Sequence, residues 1–489
     1  MYLRSNYTVN VTPRFRVLSD DQIVELHHAT LEVMRRTGVQ VEEPRAIEVF
    51  AKAGCWVDGK RVRFPAHLVE WAIRVTPSRV VLCDRLGRPA MALQGERAYF
   101  GTGSDTPNIV DIETGERRPV HKEDIARTSR LVDALPHLSF MMCSGIASDV
   151  PAAISDIHHF EAMVRNTIKP IVFTAWSLEN LKDIVEMAET VAGGANVLQR
   201  NPFCALYTEP ISPLTLGPEA TQKLMYMAEK GLPTVFTPGL ITGANGPVTI
   251  AGGLVQGNAE MLAGFVLAQL IREGTPLVYG GGVLPIDMRT TLMSYAAPEF
   301  MLAVCALKDM ARYYRLPMFH FGGCSDAKTF DQQASLEGAL WVMLAALNGG
   351  NLVHDMGYID NGLTTSYQQL VTMDEVVGMV ARFMGGIPVT EETMALDVID
   401  RVGPGGHFLA DDHTLSHFRE NWMPKLLDRS NYDTWVANGR LSLGDRALQR
   451  ARHLLETHTP EPLPDAVAEK LAAIVARAEQ RVQRGAAGS

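Results

Sequence analysis

The sequence predicts an α/β protein: a closed (β/α)8 barrel with an α+β extension before it and a helical region after it. Two patterns predict the barrel. Eight short apolar runs, at 98–101, 138–144, 170–175, 203–207, 233–237, 277–280, 318–322 and 352–354, begin about 30 to 45 residues apart, the length needed by a strand, a loop and a returning helix. Each run gives way to a Gly-, Pro- and Ser-rich stretch and then to a helical pattern. Eight regular alternations favour closure over an open doubly wound sheet, the competing architecture. The extension is expected over 1–95, the barrel over 96–385 and the helical region over 386–489.

Local signals support each part. Ser19 with Gln22 forms a capping-box pattern for a helix running to about Thr37, where Gly38 supplies a left-handed stop. A short strand at 39–41 should follow. Within the barrel, Leu262, Val266 and Leu270 share one helical face, as do Met261 and Phe265. Pro218 and Pro298, followed by Glu219 and Glu299, mark helix starts. After Gly385-Gly386 the chain reads as helical and polar with many aromatics. The connector Thr459-Pro460-Glu461-Pro462-Leu463-Pro464 leads to a last amphipathic helix with Val467, Leu471, Ile474, Val475, Ala478 and Val482 on its apolar face. The final Gly485-Ala486-Ala487-Gly488-Ser489 should fray.

Composition narrows the class. Of 489 residues, 46% are hydrophobic and 20% charged, which supplies a large core. The net charge is 45 minus 55, or −10, with no basic block, so nucleic acid and anionic membrane are poor partners. Mean hydropathy is near zero, and no apolar run of about 18 residues suggests a membrane span. Met1-Tyr2-Leu3-Arg4-Ser5-Asn6-Tyr7 lacks the apolar core of a signal peptide. Six cysteines stand singly, which points to reduced thiols in a cytoplasm rather than a disulfide framework or zinc knuckle.

Active sites of such barrels lie at the C-terminal strand ends. Those ends are glycine-rich, as in Gly101-Thr102-Gly103, Gly280-Gly281-Gly282 and Gly322-Gly323, so backbone can approach a bulky ligand. They also carry Tyr99, Trp176, Tyr207, Phe236, Tyr279 and Phe321. Ring faces hold quaternary ammonium, which has no proton to donate; the same rings would serve equally as core. The other candidates for substrate contact are Glu209, His320, Gly322, Gly323, Cys324 and His354. His354 is the expected donor to a carboxylate, helped by a backbone nest at Gly322-Gly323. Gly101-Thr102-Gly103 lacks the third glycine of a dinucleotide fingerprint. His320, Cys324, His354 and Asp355 are zinc-type ligands without a zinc-type spacing, so no tightly bound metal is expected. Ser325 has no evident base, and Cys324 reads as a nucleophile or as a buried thiol. Lys169 and Lys328 flank strands without lying inside them, which speaks against a Schiff base. No catalytic side chain is assigned.

Four segments carry a family resemblance: Tyr99-Phe100-Gly101-Thr102-Gly103-Ser104-Asp105, Thr208-Glu209-Pro210-Ile211-Ser212-Pro213-Leu214, Gly322-Gly323-Cys324-Ser325-Asp326-Ala327-Lys328, and the late stretch from His417-Phe418-Arg419-Glu420-Asn421-Trp422 to Asp428-Arg429-Ser430-Asn431-Tyr432. Over nearly its whole length the chain resembles the corrinoid-dependent trimethylamine methyltransferase family. The resemblance implies a (β/α)8 barrel that moves a methyl group from an amine to the cobalt of a corrinoid (cobalamin) carried by a separate protein. The trimethylamine enzymes carry pyrrolysine in the barrel mouth, by resemblance near Gly323 and Cys324, and this chain has only the twenty ordinary residues. It looks most like the glycine betaine:corrinoid methyltransferases that lack it. A quaternary amine substrate, a corrinoid protein in trans and a homo-oligomer are therefore expected. The rival readings are a metal-dependent lyase or aldolase barrel and a non-catalytic barrel that binds a quaternary amine.

Overall fold

A computed structural model describes residues 11–487 of the chain. Its central feature is a ring of eight strands: β1 (Tyr99–Gly101), β2 (Leu138–Phe140), β3 (Ile171–Phe173), β4 (Cys204–Thr208), β5 (Thr234–Phe236), β6 (Leu277–Gly280), β7 (Met318–Phe321) and β8 (Leu352–His354). All pair in parallel, in the order β3-β4-β5-β6-β7-β8-β1-β2. A parallel bridge from Met141 to Ile171 joins the two ends, so the barrel is closed and no edge is left. The main returning helices are α1 (Lys122–Ala134), α2 (Ser155–Asn166), α3 (Leu178–Ala192), α4 (Pro218–Lys230), α5 (Ile250–Ile271), α6 (Pro298–Tyr314), α7 (Gln332–Asn348) and α8 (Tyr367–Met384).

Local chemistry sets their ends. Ser177, Thr249, Asp331 and Ser366 cap α3, α5, α7 and α8 by accepting backbone N–H bonds. Pro218 and Pro298 occupy the first turns of α4 and α6. The N-terminal helix Asp20–Arg36 has the expected Ser19/Gln22 capping box.

Strand alternation sorts the barrel's side chains. One interior layer takes a residue from every strand: Tyr99, Phe140, Val172, Ala205, Val235, Val278, Phe319 and Leu352. Val80, Leu82, Met91 and Leu93 pack against it. They come from the hairpin Val80–Cys83/Pro89–Leu93, which plugs the N-terminal end. Tyr99 belongs to this floor. Its hydroxyl accepts the Ala92 N–H at 3.1 Å, so the expectation that it lies at the mouth is overturned: it begins β1, and the ligand end is where β1 stops.

The extension covers one flank. Its strand Val39–Val41 pairs with Arg61–Arg63 and, in parallel, with Thr215–Leu216 beyond β4. Helices Asp20–Arg36, Pro44–Lys52 and Ala66–Val75 pack on α5. That is why α5 is buried on all sides rather than along one face. Helix α5 has the length and apolarity to cross a membrane, contrary to the expectation of no such run, but most of it is buried here as a core helix.

After α8 the chain is helical, as expected, but not uniformly polar. Short helices Glu391–Met394, Leu396–Val402, Asp412–His417 and Tyr432–Ala437 bury no side chain. Ile387, Leu396, Leu409, Leu415 and Met423 are exposed. Helix Leu443–Thr457 packs on α8, and Asp465–Ala487 docks on α3 through Leu471, Ile474, Val475 and Ala478. The reading that 1–7 lacks a signal-peptide core falls outside the described residues, as do positions 488 and 489 of the tail expected to fray; Gly485, Ala486 and Ala487 of that tail instead continue the last helix. All six cysteines are free and buried.

Tyr99→Phe removes one hydrogen bond between floor and plug. The variant should lose about 0.5 to 1.5 kcal/mol of stability in denaturant unfolding, with ligand affinity at the mouth unchanged. A ligand effect without a stability loss would move Tyr99 back to the mouth.

Candidate functional site at the barrel mouth

Two residues above the floor, alternation places Gly101, Met142, Thr174, Tyr207, Thr237, Gly280, Phe321 and His354 on the inner wall. The two glycines widen one part of the layer. Rings gather elsewhere: Tyr207 lies 5.1 Å from Phe319 between centroids, His354 stacks on Phe319 at 3.8 Å and 7°, and Phe321 is 4.3 Å from His354. Tyr295, from the loop before α6, meets Phe321 edge-on at 6.2 Å.

Carboxylates share this space. Glu209 accepts a very short hydrogen bond from the Tyr207 hydroxyl. Asp105, in the left-handed region at φ 70°, accepts from Thr174 Oγ1 at 3.3 Å and from Cys143 Sγ at 3.6 Å. Asp355 accepts from His354 Nδ1 at 2.6 Å. Glu209 is open to water and Asp105, Thr174, Tyr207 and Tyr295 are half-buried, although Glu209, Asp105 and Tyr207 are deeply surrounded by protein. Side chains both enclosed and wetted line a recessed hollow. Burial raises the Glu209 carboxyl to about 7, the Tyr207 hydrogen bond opposing and Asp105 adding to the rise. Burial also raises Asp105 and pushes the Tyr207, Tyr295 and Tyr358 hydroxyls up. Lys223 is the cation among these acids, and its Nζ is committed to the Ala175 carbonyl.

Two acids hold the loops that carry these groups. Glu260 on α5 accepts from Leu214 N at 2.8 Å and Ser212 Oγ at 2.6 Å, fixing the segment after Glu209. Asp326 accepts from Tyr295 N at 2.8 Å and also from Ser294 Oγ, fixing Tyr295. Tyr358 donates to the Ser104 carbonyl at 2.6 Å. Gly103 admits Asp355, since a Cβ there would lie 2.2 Å from Asp355 Oδ1.

The sequence candidates divide by register. Tyr207, Glu209, Phe321 and His354 come together at the hollow. Phe236, Tyr279 and His320 are one residue out of phase and face the helices. Phe236 packs on Gly264 of α5. The Tyr279 hydroxyl donates to Asn258 Oδ1 at 3.0 Å. His320 contacts its neighbour's carbonyl and Asn348, and burial lowers its pKa to about 4. Trp176 sits at the rim, its indole N–H on Ser155 Oγ at 2.8 Å. Gly322 and Gly323 form no nest: the Gly322 N–H pairs with the His354 carbonyl and Gly323 packs under Met356. Cys324 is fully buried, and burial raises its thiol well above the usual range. His354 has Nδ1 occupied by Asp355, which alters its expected role.

Asp105, Asp355, Thr174, Phe319 and Tyr295 are not among the substrate-contact candidates. Asp105 stands in a quoted strand end and Asp355 among the zinc-type residues, where both are legible; Tyr295 lies in a loop without a local signal.

His320 and Cys324 form no metal centre, because His320 faces outward. Asp105, Cys143 and His159 bring one potential ligand atom each within 4.8 Å of one another. His159 Nε2 accepts the Ala147 N–H at 3.0 Å. That leaves the proton on Nδ1, which has no partner among the described residues. A metal-binding histidine donates its second N–H instead, so this set fits a hydrogen-bonding cluster better than a metal. Lys169 donates to the Val132, Leu135 and Leu138 carbonyls before β3 begins, far from an amine role at the mouth.

The sequence matches the trimethylamine methyltransferase (MTTB) family over residues 2–483. It is 35% identical to the trimethylamine methyltransferase MttB of Desulfitobacterium hafniense (strain DSM 10664 / DCB-2), covering 94% of this chain and 93% of that one. It is 33% identical to the glycine betaine methyltransferase of Desulfitobacterium hafniense (strain Y51), covering 96% and 98%. Among solved structures it is similar to the Methanosarcina barkeri monomethylamine methyltransferase (MtmB), at 12% identity and a TM-score of 0.49, covering 91% and 88%.

The hollow should bind a cation more tightly as pH rises. Below about 7 the Glu209 carboxyl is neutral; above it the carboxylate adds about 1 kcal/mol or more of attraction at contact distance. Tetramethylammonium affinity by calorimetry should rise several-fold between about pH 6 and about pH 8, and Glu209→Gln should flatten most of the rise. A pH-independent affinity in the native protein would remove Glu209 from the cation's surroundings.

Proposed function

Because the chain belongs to the trimethylamine methyltransferase family, we propose that it moves a methyl group from a quaternary amine to the reduced cobalt of a corrinoid carried by a separate protein. The chain is a methyltransferase with a (β/α)8 barrel; the quaternary donor and the corrinoid acceptor are our reading. The sequence resemblance implies glycine betaine as the donor, whereas the unpartnered Nε2 of His354 favours a quaternary amine whose tail carries a hydrogen-bond donor.

One observation supports the reading: Tyr207 and His354 both lie against Phe319, with Phe321 against His354, beside the carboxyl groups of Glu209, Asp105 and Asp355. A quaternary ammonium offers neither a proton nor a lone pair. Only ring faces, carboxylates and exclusion of water can hold it. The chemistry at the acceptor belongs to the cobalt, a strong nucleophile when reduced. The chain has three tasks. Tyr207 and Phe321 grip the cation, and the surrounding protein strips its water. The carboxylates balance its charge before transfer. The barrel wall directs one methyl outward, toward a corrinoid presented at the mouth. The leaving group is a neutral tertiary amine, so no general acid is required of the chain.

The exposed apolar side chains of 387–423 form a surface suited to a protein partner and support the expected self-association and the docking of a corrinoid protein.

Under anaerobic conditions with a Co(I) corrinoid protein, the chain should convert Co(I) to methyl-Co(III) only when a quaternary amine is added, and a chelator should leave the rate unchanged. Tyr207→Leu should weaken tetramethylammonium binding by about 0.5 to 2 kcal/mol. Stoichiometric zinc whose removal abolishes turnover would favour the metal-dependent reading instead.

A further inference from the structure

His354 is buried at 5% exposure, and its ring lies flat on Phe319 at 3.8 Å with Phe321 at 4.3 Å. Its Nδ1 meets Asp355 Oδ1 at 2.6 Å. A carboxylate accepts only, so Nδ1 carries the proton and donates it. In the neutral ring Nε2 then holds a lone pair, and it has no hydrogen-bond partner among the described residues. A buried acceptor without a partner is costly, and a ligand donor would remove that cost.

We infer that His354, oriented by Asp355, selects quaternary ammonium compounds whose tail bears an O–H or N–H donor, and disfavours those ending in a carboxylate. The inference rests on the quaternary-amine reading above. A carboxylate tail would turn its lone pairs toward the lone pair of Nε2. It would also add another anion to a hollow that already holds Asp105, Glu209 and Asp355. Of the cations at hand, Lys223 donates to the Ala175 carbonyl and acts by its charge on Asp105 and Glu209, and Arg289, with 89% of its side chain exposed, pairs with Asp287. A hydroxyl meets neither obstacle, since its proton points at Nε2 and it carries no charge. His354 is thus a specificity residue and Asp355 a positioning residue, acting through the tautomer it imposes.

The test is calorimetry on the full-length protein with three probes and no corrinoid. Tetramethylammonium has no tail and reports the cation grip alone. Choline adds a hydroxyl; glycine betaine adds a carboxylate. Choline should bind roughly threefold to tenfold more tightly than tetramethylammonium, the range of one hydrogen bond, and glycine betaine more weakly than choline. His354→Phe keeps a stacking ring and removes both nitrogens, so choline's advantage over tetramethylammonium should vanish. Asp355→Asn is the second variant. Asparagine tolerates the φ of 76° found there, and its amide can donate to Nδ1. Nε2 then carries the proton, and the preference should shift toward glycine betaine. Glycine betaine binding more tightly than choline to the native protein would overturn the inference, as would an Asp355→Asn variant with an unchanged choline-to-betaine ratio. Failure of tetramethylammonium to bind would instead sink the quaternary-amine reading, and this inference with it.

Discussion

The structure depends on the alternation of side chains through the wall of a closed barrel. Each strand is three to five residues long, so it contributes few inward positions, and neighbouring strands must agree on which these are. Parallel pairing enforces that agreement. The result is a dry floor of mostly aliphatic residues sealed by the hairpin Val80–Cys83/Pro89–Leu93. Above it lies a layer in which Gly101 and Gly280 make room while Tyr207, Phe321 and His354 supply rings. A hollow forms at this end and not the other because the floor is plugged from below.

Strand ends alone would not hold the polar groups in place. The loops above β4, β6 and β7 are tied down by acids that never face the hollow. Glu260 receives the segment after Glu209, and Asp326 receives the backbone of Tyr295. The N-terminal extension adds a parallel strand to the same β4 loop through Gln40 and Thr215. Farther out, Glu375 accepts three successive N–H groups at 425–427 and anchors the chain beyond the exposed segment. The segments that carry the family resemblance are largely these loops and their anchors.

The electrostatics of the hollow follow from burial. Three carboxyl groups lie within one recess, and Lys223, whose Nζ donates to the Ala175 carbonyl, is a cation that acts on two of them, Asp105 and Glu209. Such a recess disfavours its own charges, as the raised Glu209 and Asp105 show, and a bound cation relieves that penalty. The cost of assembling the acids is thus part of the binding energy for a positive ligand.

Much of this is legible in residue order. Periodicity and spacing are local properties, so the eight strands, the capping box at Ser19 and the proline starts of α4 and α6 were read directly from residue order. Glu209, Tyr207, Phe321 and His354 were recognisable as strand-end residues with suitable chemistry. Register was not legible. Phe236, Tyr279 and His320 sit beside true inward positions and differ from them by one residue, and in a strand one residue exchanges lumen for helix layer. Tyr99 failed for a different reason: a three-residue strand has two ends, and only the plug beneath it shows which end is closed. Nor could residue order show that Asp355 turns His354 from a donor into an acceptor. The two are adjacent in sequence, but their hydrogen bond needs the left-handed backbone at Asp355 and the space that Gly103 leaves. Sequence determined the elements and the chemistry at their ends; tertiary structure decided which way each side chain faces and which tautomer it holds, because both depend on neighbours far away in the chain.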